Sequence, residues 1–286
     1  MGAAKSPAKS AASGAGRRPG RRPAHPMDSP RGGTPKGLGG TQVEGRQAVR
    51  ELLLAGERRT YEILLSNEVE PVDIIADILG LAEELRVPVT EVSRTKLDAA
   101  SHTDAPQGIV ARAAELPETS LEDLLNPSDD VAPFLLAVDG VTDPGNLGAL
   151  LRIAECAGVT GIVLPKHRAV HVTPTVTKAA AGAVEYLPMT LVGGLPAAIE
   201  TMKAAGTWVV GLDAGGDTPI HGLDVAKSGV CLVLGAEGKG LSRLVRQRCD
   251  LLASIPLHGR LASLNVASAG AIACYEIARR RDETSA

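Results

Sequence analysis

Arg152 carries a guanidinium that stays protonated and offers a planar fork of donors, suited to a phosphate or to a developing oxyanion. Six residues before it stands Asn146, in the run Asp143-Pro144-Gly145-Asn146-Leu147-Gly148-Ala149, where Gly148 and Ala149 keep the start of a helix slim. A second run, Gly235-Ala236-Glu237-Gly238-Lys239-Gly240, joins one carboxylate to three glycines that free the backbone for positive φ and close approach to a ligand. The third, Ser263-Leu264-Asn265, supplies a hydroxyl and an amide that orient a substrate without titrating. Glu237 has two readings: it holds Arg152 or a partner-subunit residue by a charge-assisted bond, or it anchors the glycine loop. Ser263 either orients substrate or caps the helix that follows.

These residues need a frame. The first two runs begin where apolar, strand-like stretches end, over 134–138 and 230–234, so polar groups gather at one edge of a sheet. Open α/β sheets bind ligands at that edge. Around them the pattern predicts strands over 134–138, 161–164, 208–212 and 231–234, with helices over 147–157, 176–183, 196–204, 241–247 and 266–277. Such alternation implies a mostly parallel sheet covered on both faces. A smaller α/β domain precedes it over 42–115, with helices at 45–55 and 72–85 and strands at 61–65, 87–92 and 108–113. Residues 116–132 read as a linker with one helical turn at 121–125, leaving the two domains free to move relative to each other.

The three runs, in this order and spacing, resemble the motifs of SpoU-type (TrmH-family) RNA ribose 2′-O-methyltransferases, most closely those acting on guanosine of 23S rRNA. The matching patterns are Asn146-x-Gly148-x-x-x-Arg152, Gly235-x-Glu237-Gly238-x-Gly240, and Ile255-Pro256 through Ser263-Leu264-Asn265. This resemblance implies a sheet tied in a deep trefoil knot over 133–282, a preceding RNA substrate-binding domain like ribosomal protein L30e, and a homodimer. It also implies S-adenosylmethionine as methyl donor, held by Gly235, Ile255 and Leu264, with main chain around 212–215 in reach. Arg152 would then meet the RNA, with Asn146, Glu237, Ser263 and Asn265 completing the catalytic set. Family members often carry His-Gln-Gly at the end of the small domain, where this chain has Pro106-Gln107-Gly108. Arg46, near the start of the first helix, is a candidate phosphate contact or a solvated surface arginine.

Bulk properties fit an intracellular enzyme. The 286 residues suit about two domains, and 44% hydrophobic with 22% charged content is ordinary for a globular chain. No apolar run reaches the roughly 18 residues of a membrane span, and no apolar stretch follows the N-terminal basic residues as a secretion signal would require. A soluble, cytoplasmic protein with no membrane partner is expected. Cys156, Cys231, Cys249 and Cys274 are far apart without a Cys-x-x-Cys pair, so neither a metal nor a disulfide is expected; Cys156 and Cys274 read as buried thiols.

Residues 1–41 are a different material, and over 1–40 eight Lys or Arg face only Asp28, a charge of +7 in a chain whose net charge is −3. Gly, Pro, Ser and Ala fill the gaps, so the arm is expected to be disordered. It is either a solvating tail or a phosphate-seeking arm acting through counterion release. Only five aromatic residues (Tyr61, Phe134, Tyr186, Trp208, Tyr275) are present, which argues against a stacking platform for bases. A dinucleotide-dependent oxidoreductase fails for lack of Gly-x-Gly-x-x-Gly opening a first helix, and a phosphate-loop enzyme fails because glycine follows Lys239. A tRNA ribose methyltransferase and a noncatalytic RNA-binding protein of the same fold remain as alternatives. His171, His221 and His258 have no carboxylate or cysteine partner in the pattern and are assigned no chemistry.

Overall fold

The computed structural model describes residues 37–127, 131–167, 171–224 and 228–285, and most of the basic arm lies outside them. In chain order the elements are β1 (Gln42–Glu44), α1 (Arg46–Ala55), β2 (Thr60–Ser66), α2 (Asp73–Glu84), β3 (Val89–Val92), α3 (Arg94–Ala100) and β4 (Ile109–Ala113). Then follow α4 (Leu121–Leu125), β5 (Phe134–Asp139), α5 (Pro144–Cys156), β6 (Gly161–Pro165), α6 (Pro174–Ala179), β7 (Met189–Val192), α7 (Leu195–Ala204) and β8 (Trp208–Leu212). The chain continues through β9 (Thr218–Pro219), β10 (Val230–Gly235), α8 (Arg243–Arg248), β11 (Leu251–Ser254) and α9 (Val266–Ser285).

Strands β1 to β4 form a four-stranded mixed sheet in the order β1-β4-β2-β3, and the rest form a seven-stranded sheet ordered β7-β6-β5-β10-β8-β11-β9 whose paired strands are all parallel. The α/β architecture with a mostly parallel sheet is as the alternation implied. Strands β5 and β10 are buried along their apolar runs because both faces are covered, as parallel strands require. Leu136, Val138, Leu232 and Leu234 pack on one face with α5 and α9 residues. Alternate residues Leu135, Ala137 and Val233 pack on the other with α7 and α8 residues. Each fully buried Leu, Val or Phe here contributes about 1.5–3 kcal/mol.

Helix α5, which carries Asn146 and Arg152, starts sharply. Asp143 caps it by accepting a hydrogen bond from the Asn146 amide at 2.7 Å, and Pro144 occupies the first turn, where its missing N–H costs nothing. Gly148 lets α6 lie close: a Cβ there would sit 2.7 Å from the Val176 carbonyl oxygen. Helix α6 is shorter than the predicted 176–183, since Ala181 (φ 51°) and Gly182 (φ 89°) turn left-handed and lead into a 3-10 turn, Ala183–Glu185. Cys156 is exposed rather than buried, because Leu147, Leu150, Leu151 and Ala154 define the inward stripe of α5 and Cys156 falls outside it. Cys231 and Cys274 are buried.

The linker is not slack. Its residue Thr119 donates to the Met189 carbonyl at 2.8 Å, and the Leu191 amide donates to the Glu118 carboxylate at 3.2 Å, so the segment lies along β7. Arg58, just after α1, is buried against Glu185 in the 3-10 turn. Polar contacts that periodicity cannot reveal thus run from the linker and from Arg58 to the sheet domain.

Candidate active site

The carboxyl ends of β5, β8, β10 and β11 deliver the predicted residues to one edge. Asp139, the last residue of β5, accepts a hydrogen bond from the Ser242 amide at 2.6 Å, which fastens the loop after β10 across the top of β5. That loop closes on itself, with Ala236 and Gly240 exchanging backbone bonds of 3.1 and 2.8 Å, and Gly238 (φ 73°) and Gly240 (φ 64°) left-handed as expected. Gly235 is different, being absent from the left-handed residues. It is glycine because a Cβ would lie 2.5 Å from the Gly240 carbonyl oxygen, so the loop folding back on the strand end excludes a side chain there.

Asn265 joins the three sequence runs. Its Nδ2 donates to Asn146 Oδ1 at 2.9 Å and to Glu237 Oε1 at 2.7 Å, and its Oδ1 accepts from the Ala267 and Ser268 amides at 2.9 and 3.2 Å. One side chain thus caps α9 and links the starts of α5 and α9 to the glycine loop. The cap expected of Ser263 belongs to Asn265, two residues closer to the helix, while Ser263 is exposed beside the adjoining cavity. Among the described residues Glu237 does not hold Arg152; its side chain accepts instead from the Asn265 amide. Arg152 is exposed and makes no hydrogen bond or ion pair among the described residues. Six residues along a helix place it ~120° around α5 from Asn146, off the junction's face.

Beside the junction is a cavity of about 120 Å³ whose lining includes Leu212, Asp213, Gly235, Ile255, Ser263 and Leu264. It brings together all three residues predicted to hold a donor, and Leu212 and Asp213 as well. Sequence reasoning did not single out Asp213, which accepts from the Gly215 amide at 2.9 Å and pairs with Arg246 at 3.2 Å, shaping the wall. Residues 256–264 are exposed and make no hydrogen bond among the described residues. Burial pushes the Cys274 thiol up to about 12 and that of Cys249 up to about 11, which leaves neither as a nucleophile near neutral pH.

In the small domain, Arg46 is bonded to the loop at Gln107: its amide donates to Gln107 Oε1 at 3.0 Å and its Nε to the Gln107 carbonyl at 3.1 Å. Gln107 is held left-handed (φ 58°). His171 contacts the Gly37 carbonyl at 3.0 Å, a structural contact.

Residues 133–275 match the SpoU rRNA Methylase family, and residues 42–119 match the family RNA 2′-O ribose methyltransferase substrate binding. The chain is 40% identical over 245 residues to the 23S rRNA (guanosine-2′-O-)-methyltransferase RlmB of Pseudomonas aeruginosa, covering 84% of this chain and 96% of that protein. Among solved structures it is similar to the SpoU methyltransferase AviRb from Streptomyces viridochromogenes in complex with AdoMet, with TM-score 0.70, 25% identity, and 85% and 90% of the two chains covered. The AdoMet-bound rRNA methyltransferase from Sinorhizobium meliloti is comparable, with TM-score 0.69, 26% identity and coverage of 84% and 87%.

Proposed function

Because the chain belongs to the SpoU rRNA methylase family, we propose that it methylates the ribose 2′-oxygen of a guanosine in 23S rRNA, with S-adenosylmethionine as donor. The observation that carries this reading is the Asn265 junction to Asn146 and Glu237, set against the cavity at Gly235, Ile255 and Leu264. The cavity suits the donor chemically. Its aliphatic walls accept a flat ring, and the exposed backbone of 256–264 offers the donors and acceptors that an adenine edge needs. At about 120 Å³ it is smaller than the roughly 300–1,000 Å³ of whole-ligand clefts, so Gly235, Ile255 and Leu264 would hold only part of the donor. The bound donor supplies an electrophilic methyl group on a sulfonium.

Everything else falls to the chain. Methyl transfer needs an aligned oxygen nucleophile, so Asn146 and Ser263 orient the ribose, while Asn265, its amide fully bonded, holds Asn146 and is itself fixed by Glu237. Arg152 holds the substrate phosphate and stabilises the developing alkoxide, and a phosphate oxygen or water takes the proton. With its side chain exposed and no ion-pair partner among the described residues, the guanidinium is available for RNA. The substrate domain, over 42–115, is L30e-like and contributes RNA affinity, and the sheet domain over 133–282 carries the trefoil knot of its family. A homodimer through α9 completes the site. Exposed Ile272 and Tyr275, three residues apart on α9, support that interface.

Incubation with 23S rRNA and labelled donor, followed by mapping of 2′-O-methyl groups, should place one methyl on a guanosine. Methylation of tRNA ribose instead would overturn the substrate assignment. Arg152→Ala should lower turnover about 10²–10³-fold, the cost of removing one preorganised charge-stabilising group, with donor affinity by calorimetry unchanged. Arg152→Lys should also fail substantially, because a point charge does not reproduce the fork.

A further inference from the structure

The seam between the substrate domain and the sheet domain holds the most buried ion pair among the described residues. Arg58 Nε donates to Glu185 Oε2 and Arg58 Nη2 to Glu185 Oε1, both at 2.7 Å, and the two side chains are only 3% and 1% exposed. The remaining Nη1 donates to the Gly40 carbonyl at 2.6 Å and to the Ala114 carbonyl at 2.5 Å. One guanidinium therefore ties the entry strand and exit strand of the small domain to the 3-10 turn of the other. A fork that reaches a carboxylate with two parallel bonds fixes orientation as well as distance.

Neighbouring contacts act in the same sense. Tyr186 OH donates to Glu51 of α1 at 2.7 Å, and Lys178 of α6 donates to the Ala105 carbonyl. The 3-10 turn touches both α1 and α5. Helix α5 carries Asn146 and Arg152, so the pair stands one packed layer from the proposed catalytic helix.

We propose that Arg58 and Glu185 are positioning residues: their buried fork sets the register of the RNA-binding domain against α5, so that the target ribose arrives aligned with Arg152. This rests on the methyltransferase reading above. Its signature is a defect in turnover rather than in binding, because neither residue touches the donor cavity and both are too buried to meet RNA.

The test uses full-length Arg58→Met/Glu185→Leu, which removes both charges together and leaves no buried charge unpaired, since replacing a buried pair by apolar residues is often neutral for stability. With melting temperature and donor affinity at wild-type values, kcat on 23S rRNA should fall about tenfold, in line with the cost of sub-ångström misplacement, while KM changes less than about threefold. Wild-type kcat in that variant overturns the proposal. If the double variant does not fold, Arg58→Lys decides, because a point charge keeps the ion pair with Glu185 but not the two parallel bonds that fix its orientation. A fall of about twofold or more in kcat with unchanged donor affinity supports the proposal, and unchanged kcat overturns it, on the scale by which misplacement lowers rate. Absence of methyl transfer by the wild-type protein would instead strike the methyltransferase reading, so the two failures are distinguishable.

Discussion

Two irregular segments of similar length are treated in opposite ways. Residues 101–108 are tied at almost every step: the Glu44 carboxylate accepts from the His102 amide at 2.6 Å, the Thr103 amide at 3.1 Å and the Thr103 hydroxyl at 2.5 Å. Gln107 engages Arg46, and Ala105 accepts from Lys178. Residues 256–264, by contrast, make no hydrogen bond among the described residues. Buried or ordered backbone groups normally find partners, so a bare segment at a cavity rim is where a ligand's bonds belong, and a tied one is a template that keeps its shape.

The largest expected effect follows from that contrast. If donor binding satisfies the bare segment, amide hydrogen exchange over 255–265 should slow on adding S-adenosylmethionine. The limit is about 100-fold, or about 2.7 kcal/mol, when donor is present at about 100 times its Kd. Exchange over 101–108 should not change. Equal protection of both segments, or of neither, would break the comparison.

A somewhat smaller effect should come from untying the template. Glu44 is fully buried, and burial by itself pushes its carboxyl up. Hydrogen bonds from His102, Thr103 and Gln42 more than offset this and leave it below its ordinary value. A carboxylate with a depressed folded pKa stabilises the fold above its unfolded pKa, and that contribution disappears as pH falls through the folded value. Glu44→Gln should thus cost about 1–3 kcal/mol near neutral pH, the penalty for leaving buried donors poorly served. The difference from wild type should close as pH drops below the ordinary carboxylate range near about 4. Thermal melts at neutral pH and near pH 3 check both arms, and a pH-independent difference would remove the carboxylate's charge from the account.

How much of this was legible in the residues depends on what each feature rests on. Strands β5, β8 and β10 were readable because their apolar runs are uninterrupted, and α7 and α1 because their apolar residues recur at helical spacing. Strands β1, β7 and β11 were not: each is three or four residues long, and β7, Met189–Val192, follows directly on Leu187-Pro188, so no period develops. Helix α3 was lost for the same reason, with only Leu97 buried. At the site, the apolar runs that precede the first two motifs showed that their polar residues gather at one sheet edge, but not which side chains bond to which. They could not show that Gly235 answers to its own loop, that Asn265 rather than Ser263 caps α9, or that Arg58 finds Glu185, because those outcomes rest on tertiary approach between segments distant in sequence.

The smallest effect separates the two tasks of Asn265. Asn265→Ala removes the cap of α9 and both junction bonds, so it should cost about 1 kcal/mol of stability, as cap removal does, and lower turnover. Asn265→Asp is sharper. A carboxylate oxygen still accepts from the Ala267 and Ser268 amides, and a negative charge suits a helix N-terminus, so stability should stay within about 0.5 kcal/mol of wild type. The donors to Asn146 and Glu237 are gone, however, and two carboxylates now face each other where a 2.7 Å bond stood. Turnover should fall as far as in Asn265→Ala although the fold is nearly as stable as wild type. Equal turnover in wild type and Asn265→Asp would reduce the junction to a helix cap, and the orientation of the ribose would then have to come from Asn146 and Ser263 alone.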